Sequence, residues 1–496
     1  MVENRSTSYG NIFRTTFLFG FVQVFNILTK VSVNKVVAIL LGAEGLGLIS
    51  LYQSAIMMLK TGCGLGIKQS AVRDVAEANK LADIDKIARI VTITNRVVLF
   101  TALLGLAVTI LGSPLLSKYS FGSLAYIIPF IVLSIAVALN IYAEGQMAIL
   151  TGMRRMRSLA MTNIIGSFVG MVCSIPFYYI WGKDGIIPSL IVAALCLFIT
   201  TKIYVNKLKI QAVTMTLKQV FIASGPMVKM GSALMLAGFS GFAFDLLISS
   251  FIRYEGGFET VGIYQAGATI ISSYFGIILS AMTTDYYPRI CSVNENNTQL
   301  TDELNKQVSA GLIMLFPLAV LFVFLAPYFL VFLYSSEFVH STKYTDYAIF
   351  GTLILVISNS MGMIFMAKMD SRLYLFLVLA IQIILIGIYI PAFHFFGLIG
   401  LGVSYICNGI LSLLVYGIIL YKRYKIWITS KVIGLLVFEL LTLVLTLILR
   451  NSLDTLHSVI FATVILTAVC VFSMFYLKRN MDIDIIKILK KHIKHK

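Results

Sequence analysis

The chain has 496 residues, of which 59% are hydrophobic and only 12% charged, and its mean hydropathy is +0.92. A soluble globular domain carries roughly 25% charged residues, so the composition excludes a water-soluble protein and indicates a polytopic membrane protein. The net charge of +17 does not indicate a nucleic-acid surface, because the Lys and Arg residues stand between apolar stretches.

Apolar stretches of spanning length recur along the chain. A helix needs about 20 apolar residues to cross the hydrocarbon core of a bilayer. We find about fourteen such windows, each bounded by polar residues or by Gly and Pro. They fall at 11–41, 45–67, 90–112, 123–150, 158–181, 185–206, 226–252, 260–286, 308–334, 345–367, 372–395, 398–420, 431–450 and 457–477. No small-residue cleavage site follows the first window, so we expect it to be retained as a helix.

The distribution of Lys and Arg predicts the orientation of these spans. With the N-terminus in the cytoplasm, 31 of the 39 Lys and Arg residues fall inside, five fall outside and three lie within spans. Cytoplasmic loops are enriched in Lys and Arg, so both termini are predicted to be cytoplasmic. The tail at 478–496 alternates Ile and Leu with Lys, which is typical of a helix on a membrane surface. We favour anchoring over a specific partner site for this tail.

An internal repeat with an offset of 215 residues divides the chain. The segment Glu44–Leu48 returns as Glu259–Ile263, at the start of an even-numbered span in each copy. The same offset relates Gly182 to Gly397, Gly185 to Gly400, and Lys207 to Lys422. Six spans separate the copies, so both have the same orientation in the membrane.

The repeat predicts an all-α polytopic membrane protein built from two parallel six-helix lobes. The N-terminal lobe is predicted at 1–215 and the C-terminal lobe at 216–426, followed by two further spans at 427–477 and a basic cytoplasmic tail at 478–496. Two facing lobes with a cleft between them are typical of transporters that alternate access around a site near the midplane.

Polar residues on the first span are the leading candidates for a site in that cleft. Gln23, Asn26, Lys30 and Asn34 follow one another at spacings of three or four, which places them on one helix face. A charge inside a span costs about 2.5–3.5 kcal/mol on the insertion scale, so it is expected to face protein or water. Lys30 is therefore predicted to line a cavity.

Two further lysines lie within spans, Lys35 in the first and Lys60 in the second. Either they line the same cavity, where ammonium groups would attract phosphate, or they extend to the interfaces along their apolar stems. The amide and hydroxyl groups of Gln23, Asn26, Gln53 and Thr269 could form hydrogen bonds with a ligand in such a cavity.

The repeat places Asp245 in the second lobe at the position of Lys30 in the first. Either these two side chains face one another across the cleft, or Asp245 is neutral and hydrogen-bonded within its own lobe. Coupling or gating candidates near the inner ends of spans and in the inside loops are Glu144, Asp285, Arg73 and Arg289. A structural role is favoured for Glu439.

Motifs for covalent chemistry are missing from the sequence. There is no G-x-x-x-x-G-K-[ST] nucleotide loop, no G-x-S-x-G elbow and no H-E-x-x-H metal site. The six Cys residues have no C-x-x-C spacing, so no metal site or disulfide framework is predicted. We expect no enzyme activity, no cofactor and no metal.

Three segments resemble Wzx-type O-antigen flippases, the polysaccharide-transport members of the multidrug/oligosaccharidyl-lipid/polysaccharide superfamily. They are Leu41–Gly47, Gly64–Arg73 and Thr284–Arg289. The resemblance implies a V-shaped, MATE-like fold and a cationic central cavity, and Lys30 and Lys60 match the basic positions of that cavity. Asp245 departs from this basic pattern, because at this position the second lobe contributes a carboxylate.

The resemblance further implies a protein of the bacterial inner membrane that moves undecaprenyl-pyrophosphate-linked oligosaccharide from the cytoplasmic to the periplasmic leaflet. Its implied partners are the lipid-linked glycan, the bilayer and a polysaccharide polymerase or chain-length complex. Membrane potential, H⁺ and Na⁺ are the alternatives for energy coupling.

Two other functions compete with this interpretation. An ion-coupled exporter of cationic drugs on the same fold would use carboxylates such as Asp245 and Glu144 and would not need the lysines. A glycan polymerase or acyltransferase would need a long external loop or clustered catalytic groups, and the external loops here have about a dozen residues or fewer.

Overall fold

The computed structural model describes residues 3–81, 83–452 and 454–481, with side chains between Val22 and Arg479 apart from short gaps. The described part is helical throughout and contains no strand, which confirms the predicted all-α class. The basic tail predicted at 478–496 lies outside the described residues from 482 onward.

Thirteen α-helices follow one another along the described residues. They are α1 (Glu3–Cys63), α2 (Ile67–Lys80), α3 (Ile84–Phe121), α4 (Ile127–Gly152), α5 (Met156–Trp181), α6 (Ile186–Asn206), α7 (Leu217–Thr269), α8 (Gly276–Ser292), α9 (Asn297–Leu333), α10 (Thr342–Ala367), α11 (Ser371–Tyr424), α12 (Ser430–Ser452) and α13 (Thr455–Met481). A π-helical segment, Ile270–Phe275, joins α7 to α8.

Ten helical stretches in the described residues are long and apolar enough to cross a membrane. Four of them have 39 to 54 residues: the stretch Ser371–Tyr424, for example, has 54 residues and would extend about 80 Å if straight. The hydrocarbon core is only about 30 Å thick. Each of the four contains a break in its interior or a short 3₁₀ turn, so each has room for two crossings. The count of fourteen spans stays a prediction.

The breaks in the long helices confirm the repeat. Helix α1 breaks at Gly42 (φ 66°, ψ −166°) and α7 breaks at Gly257 (φ 75°, ψ 179°), which is 215 residues later. Gly182 and Gly397 form a second pair at the same offset, with φ of 55° and 56°. The backbone region occupied by Gly42 and Gly257 is essentially restricted to glycine. The two copies therefore share their turns as well as their sequence pattern.

The repeats also meet in a symmetric backbone contact. A Cβ atom at Gly47 would lie 1.9 Å from the carbonyl oxygen of Phe258, and a Cβ atom at Gly262 would lie 1.9 Å from the carbonyl oxygen of Ala43. Both residue pairs are related by the offset of 215. Such backbone-to-backbone approach requires residues without side chains, which explains the glycines in the repeated segment.

We predict that Gly47→Ala and Gly262→Ala each destabilise the protein by about 1–3 kcal/mol, because the added methyl group overpacks a backbone contact. The thermal unfolding midpoint of the protein in detergent measures the effect. Gly434→Ala is the matched control, since nothing lies within 4 Å of a Cβ atom built at Gly434 in α12. Wild-type stability of Gly47→Ala would contradict the contact.

The chain divides into two compact units. The first consists of Met1–Gly262 with Leu333–Ser335, and the second of Ile263–Phe332 with Ser336–Lys496. In the first unit, α2 packs its apolar face against α3 and α4, burying Ala71 and Val75 completely. In the second unit, Phe316 of α9 and Phe365 of α10 are fully buried. The lobe boundaries at 215 and 426 stay a prediction.

Contacts within the first unit agree with the predicted alternation of loops. Arg253 donates to the carbonyl oxygen of Ser120 at 3.0 Å, and Lys183 forms an ion pair with Glu44 at 2.6 Å. All four residues lie between predicted spans, at 42–44, 113–122, 182–184 and 253–259, in intervals that the alternation of spans places on the outer side. Residues assigned to one side therefore meet one another, as a consistent topology requires. The assignment of that side to the periplasm stays a prediction from the charge distribution.

Candidate functional site

An ion pair within spanning segments joins two of the candidate residues. The Lys60 ammonium group lies 2.8 Å from a carboxylate oxygen of Glu144, with side chains 14% and 28% exposed. Lys60 occupies the last turn of α1, and Glu144 lies eight residues before the end of α4 at Gly152, or about 12 Å along the helix axis. The structure thus brings together a predicted cavity lysine and a predicted coupling carboxylate.

A second lysine, not singled out from the sequence, completes this cluster. Lys68 in the first turn of α2 lies 3.8 Å from the same Glu144 oxygen. We call Lys60, Lys68 and Glu144 the lysine cluster. It contains two ammonium groups and one carboxylate, so one positive charge remains for an anionic ligand. Lys68 is half exposed, which gives that ligand access.

The face of α1 that carries Lys60 has further exposed side chains. Gln53 and Met57 lie seven and three residues before Lys60 and are both exposed, so they share its face. The Gln53 amide therefore lies about two helical turns from Lys60 along α1. Gln53 therefore lies on the same helix face as Lys60, and its role in ligand binding stays a prediction.

The polar stripe predicted on the first span is partly buried. Asn26 accepts a hydrogen bond from the Ser167 hydroxyl of α5 at 3.4 Å, and it is half-buried. Gln23 and Lys30 are exposed. Asn26 therefore contributes to helix packing, whereas Gln23 and Lys30 remain available to a ligand. Lys35, which follows on the same helix, is half-buried.

Asp245 is exposed on α7. No ion pair joins it to Lys30 within the described part of the chain. The hypothesis that Lys30 and Asp245 act together across a cleft stays a prediction.

The remaining candidates form ion pairs that do not include residues of the lysine cluster. Arg289 of α8 forms an ion pair with Asp285 at 2.9 Å and another with Glu303 of α9 at 2.5 Å, and it donates to the Gln307 side chain at 2.8 Å. The structure therefore joins two predicted gating residues in one network in the second unit. Arg73 pairs at 2.7 Å with its neighbour Asp74 on the exposed side of α2.

The sequence analysis did not find Lys68, Glu303 or Gln307. These residues join partners 14 to 76 positions away in the sequence, and no motif spacing marks them. In residues 3–81, 83–452 and 454–481, no group of three His, Cys, Asp or Glu side chains is arranged to hold a metal ion.

Comparisons with known proteins identify the family and the fold. A family model described as "Polysaccharide biosynthesis protein" matches residues 36–343. The chain is 23% identical over 363 residues to the lipid III flippase of Escherichia coli K12, covering 69% of this chain and 82% of that relative, and the lipid III flippase of Shigella flexneri matches equally.

Two solved structures show the fold. The lipid II flippase MurJ, in an inward closed conformation, has a TM-score of 0.73 at 14% identity and covers 95% of this chain and 100% of its own. An inward-facing MATE multidrug resistance transporter has a TM-score of 0.61 at 15% identity and covers 81% and 96%. The predicted MATE-like fold is confirmed. Because the family model spans more than half of its length, the chain belongs to the polysaccharide biosynthesis protein family.

Proposed function

We propose that the protein is a flippase, which moves undecaprenyl-pyrophosphate-linked oligosaccharide from the cytoplasmic to the periplasmic leaflet of a bacterial inner membrane. The observation that carries the proposal is the lysine cluster, which holds two ammonium groups and one carboxylate. The names of the flippase relatives support the same substrate class.

The lysine cluster suits a pyrophosphate head group. A carboxylate and a phosphate oxygen compete for the same ammonium donors, and phosphate offers more acceptor atoms. In the protein without ligand, Glu144 forms an ion pair with Lys60. This pairing lowers the free-energy cost of placing the two charges within the membrane. An incoming pyrophosphate displaces Glu144 and takes Lys60 and Lys68 as its counterions.

Displacement of Glu144 provides a means of energy coupling. A carboxylate without a positively charged partner inside a membrane is energetically unfavourable. Glu144 therefore takes up a proton or a sodium ion when the head group binds to Lys60. Release of that ion returns Glu144 to Lys60 and expels the head group. An inside-negative potential favours outward movement of the anionic head by about 2.3 kcal/mol per charge per 100 mV.

No covalent step is needed for this transport, and the residues act only by binding and release. Both termini lie in the cytoplasm in this proposal. A polysaccharide polymerase or chain-length complex would receive the glycan on the periplasmic side.

Deletion of the gene tests the proposal. We expect lipid-linked oligosaccharide to accumulate facing the cytoplasm, with unchanged resistance to cationic drugs. Altered drug resistance without accumulation of the lipid-linked oligosaccharide would indicate an ion-coupled exporter and contradict the flippase proposal. The MATE fold also supports such an exporter.

For Lys30 we predict that Lys30→Ala lowers transport at least tenfold, because loss of one charge-assisted contact costs roughly 1.5–3 kcal/mol. Lys30→Arg retains the charge and is expected to keep most of the activity. Lys422→Ala, at an exposed position of α11, is the matched control for loss of one lysine. Transport is measured by the amount of lipid-linked oligosaccharide that accumulates facing the cytoplasm in the deletion strain. Each variant must be present in the membrane at the same level as the wild type. Unchanged transport by Lys30→Ala would remove Lys30 from the site.

A further inference from the structure

Four helices of the second unit enclose a cavity of about 200 Å³ that the proposed mechanism does not use. It is lined by α8, α9, α10 and α11 and is partly open. Its polar lining consists of Thr283, Tyr286, Gln307, Asn359, Ser360 and Tyr374. Because a cavity with so many polar groups inside a membrane protein is costly unless it is hydrated or occupied, its lining requires an explanation.

Several hydrogen-bonding groups in the cavity are available to a ligand. The Thr283 hydroxyl donates to the Leu279 carbonyl oxygen at 2.5 Å, which leaves its own oxygen free to accept. Asn359 is exposed and has no hydrogen-bond partner among the described residues. The side-chain carbonyl oxygen of Gln307 accepts a hydrogen bond from Arg289, and the amide hydrogens of Gln307 remain available as donors. The cavity therefore offers both donors and acceptors.

The lining is electrically neutral. Arg289, which donates to the lining residue Gln307, already forms ion pairs with Asp285 and Glu303. An anion would find no free cation, and a metal ion would find no carboxylate among the lining residues. The chemistry therefore favours a neutral ligand that carries several hydroxyl groups.

The size of the cavity fits a single six-membered ring. A cavity of about 150 Å³ in another protein accepts benzene, so about 200 Å³ accommodates a ring with hydroxyl substituents. Tyr286, Tyr374 and two methionines offer apolar surface for the C–H faces of such a ring. The π-helical segment Ile270–Phe275 ends just before the part of α8 that lines the cavity, and π-helical segments occur frequently at functional sites.

We infer that this cavity is a glycan subsite, which binds one pyranose ring of the lipid-linked oligosaccharide through Asn359, Thr283 and Gln307. The inference rests on the proposed flippase function, since that function supplies the ligand. It separates recognition of the sugar, in the second unit, from recognition of the pyrophosphate by the lysine cluster.

Binding to the full-length protein in lipid nanodiscs tests the inference. The probes are undecaprenyl-pyrophosphate-linked oligosaccharide, extracted from cells that lack the protein, and undecaprenyl pyrophosphate without sugar. The variant Asn359→Leu combined with Thr283→Val removes an amide and a hydroxyl while keeping side-chain volume. We expect about tenfold weaker binding of the glycosylated lipid, from two lost hydrogen bonds, and unchanged binding of the lipid without sugar.

The matched control combines Asn206→Leu with Thr467→Val. Asn206 is exposed at the end of α6, and the Thr467 hydroxyl donates to the Thr463 carbonyl oxygen at 2.7 Å in the same manner as that of Thr283. Neither control residue lines the cavity. The control variant should bind both lipids as the wild type does.

The possible failures are distinguishable. If the wild type binds both lipids and the cavity variant binds them equally well, the subsite is refuted and the flippase proposal stands. Equal weakening for both lipids also refutes the subsite, because the effect is then not specific to the sugar. If the wild type binds neither lipid, the proposed function fails together with the subsite.

Discussion

Replacement of Lys60 by Met is expected to lower transport of the lipid-linked oligosaccharide by about 10- to 100-fold. The loss of one charge-assisted contact to a phosphate group costs roughly 1.5–3 kcal/mol, and Met retains the apolar stem. Lys60→Met also leaves Glu144 with only Lys68 at 3.8 Å, so the single variant is expected to lose stability. Transport is measured in proteoliposomes, and stability by the thermal unfolding midpoint.

A second substitution separates these two effects. In the double variant Lys60→Met, Glu144→Gln no carboxylate is left without its partner, so we expect stability to recover. Transport should remain low, because the ammonium group for the phosphate is still missing. Recovery of transport together with stability would contradict the proposal, since Lys60 would then only neutralise Glu144.

The single variant Glu144→Gln provides a third comparison. Without its carboxylate competitor, Lys60 should bind undecaprenyl pyrophosphate more tightly, and turnover should become slower because release lacks the returning carboxylate. Transport should also lose its dependence on an ion gradient. Loss of binding in Glu144→Gln would show instead that the carboxylate itself holds the ligand.

Much of the fold could be predicted because two of its determinants are local. Apolar windows mark spans since every backbone polar group in a bilayer must be paired within a helix. Glycines at an offset of 215 marked the repeat, and the structure adds the breaks at Gly42 and Gly257, which share a backbone conformation because only glycine tolerates it there. Helix α2 was not predicted, because the search was for apolar windows and α2 is mostly polar, although its buried residues Ile67, Ala71, Val75 and Ala78 recur at helical spacing.

The composition of the site was less predictable than the fold. Lys60 and Glu144 were each singled out as charges within spans, but their contact joins residues 84 positions apart. The sequence shows which charged side chains are energetically unfavourable within a membrane. It does not show which residue of opposite charge pairs with each of them. The pairing depends on how α1 and α4 rotate against each other, and side-chain packing across several helices determines that rotation.

Replacement of Arg450 by Met is expected to destabilise the protein by about 3–5 kcal/mol. Arg450 at the end of α12 donates to both carboxylate oxygens of Asp346 on α10, with one contact at 2.9 Å, and to the Val323 carbonyl oxygen of α9 at 2.6 Å. Both side chains are largely buried, at 14% and 11% exposure. Removing one partner of a buried pair leaves an uncompensated charge, and this cost exceeds that of removing both.

A double-mutant cycle with Asp346→Asn measures this coupling. Arg450→Met with Asp346→Asn should be less destabilised than the sum of the single variants by about 1–3 kcal/mol, as measured by thermal unfolding in detergent. The exposed Arg73 and its half-buried neighbour Asp74 give the control, because an ion pair with an exposed partner at the surface is worth only about 0–1 kcal/mol. Additive effects at Arg450 and Asp346 would contradict the assignment. A strong coupling identifies this pair as a contact that fixes the C-terminal end of α12 to α9 and α10.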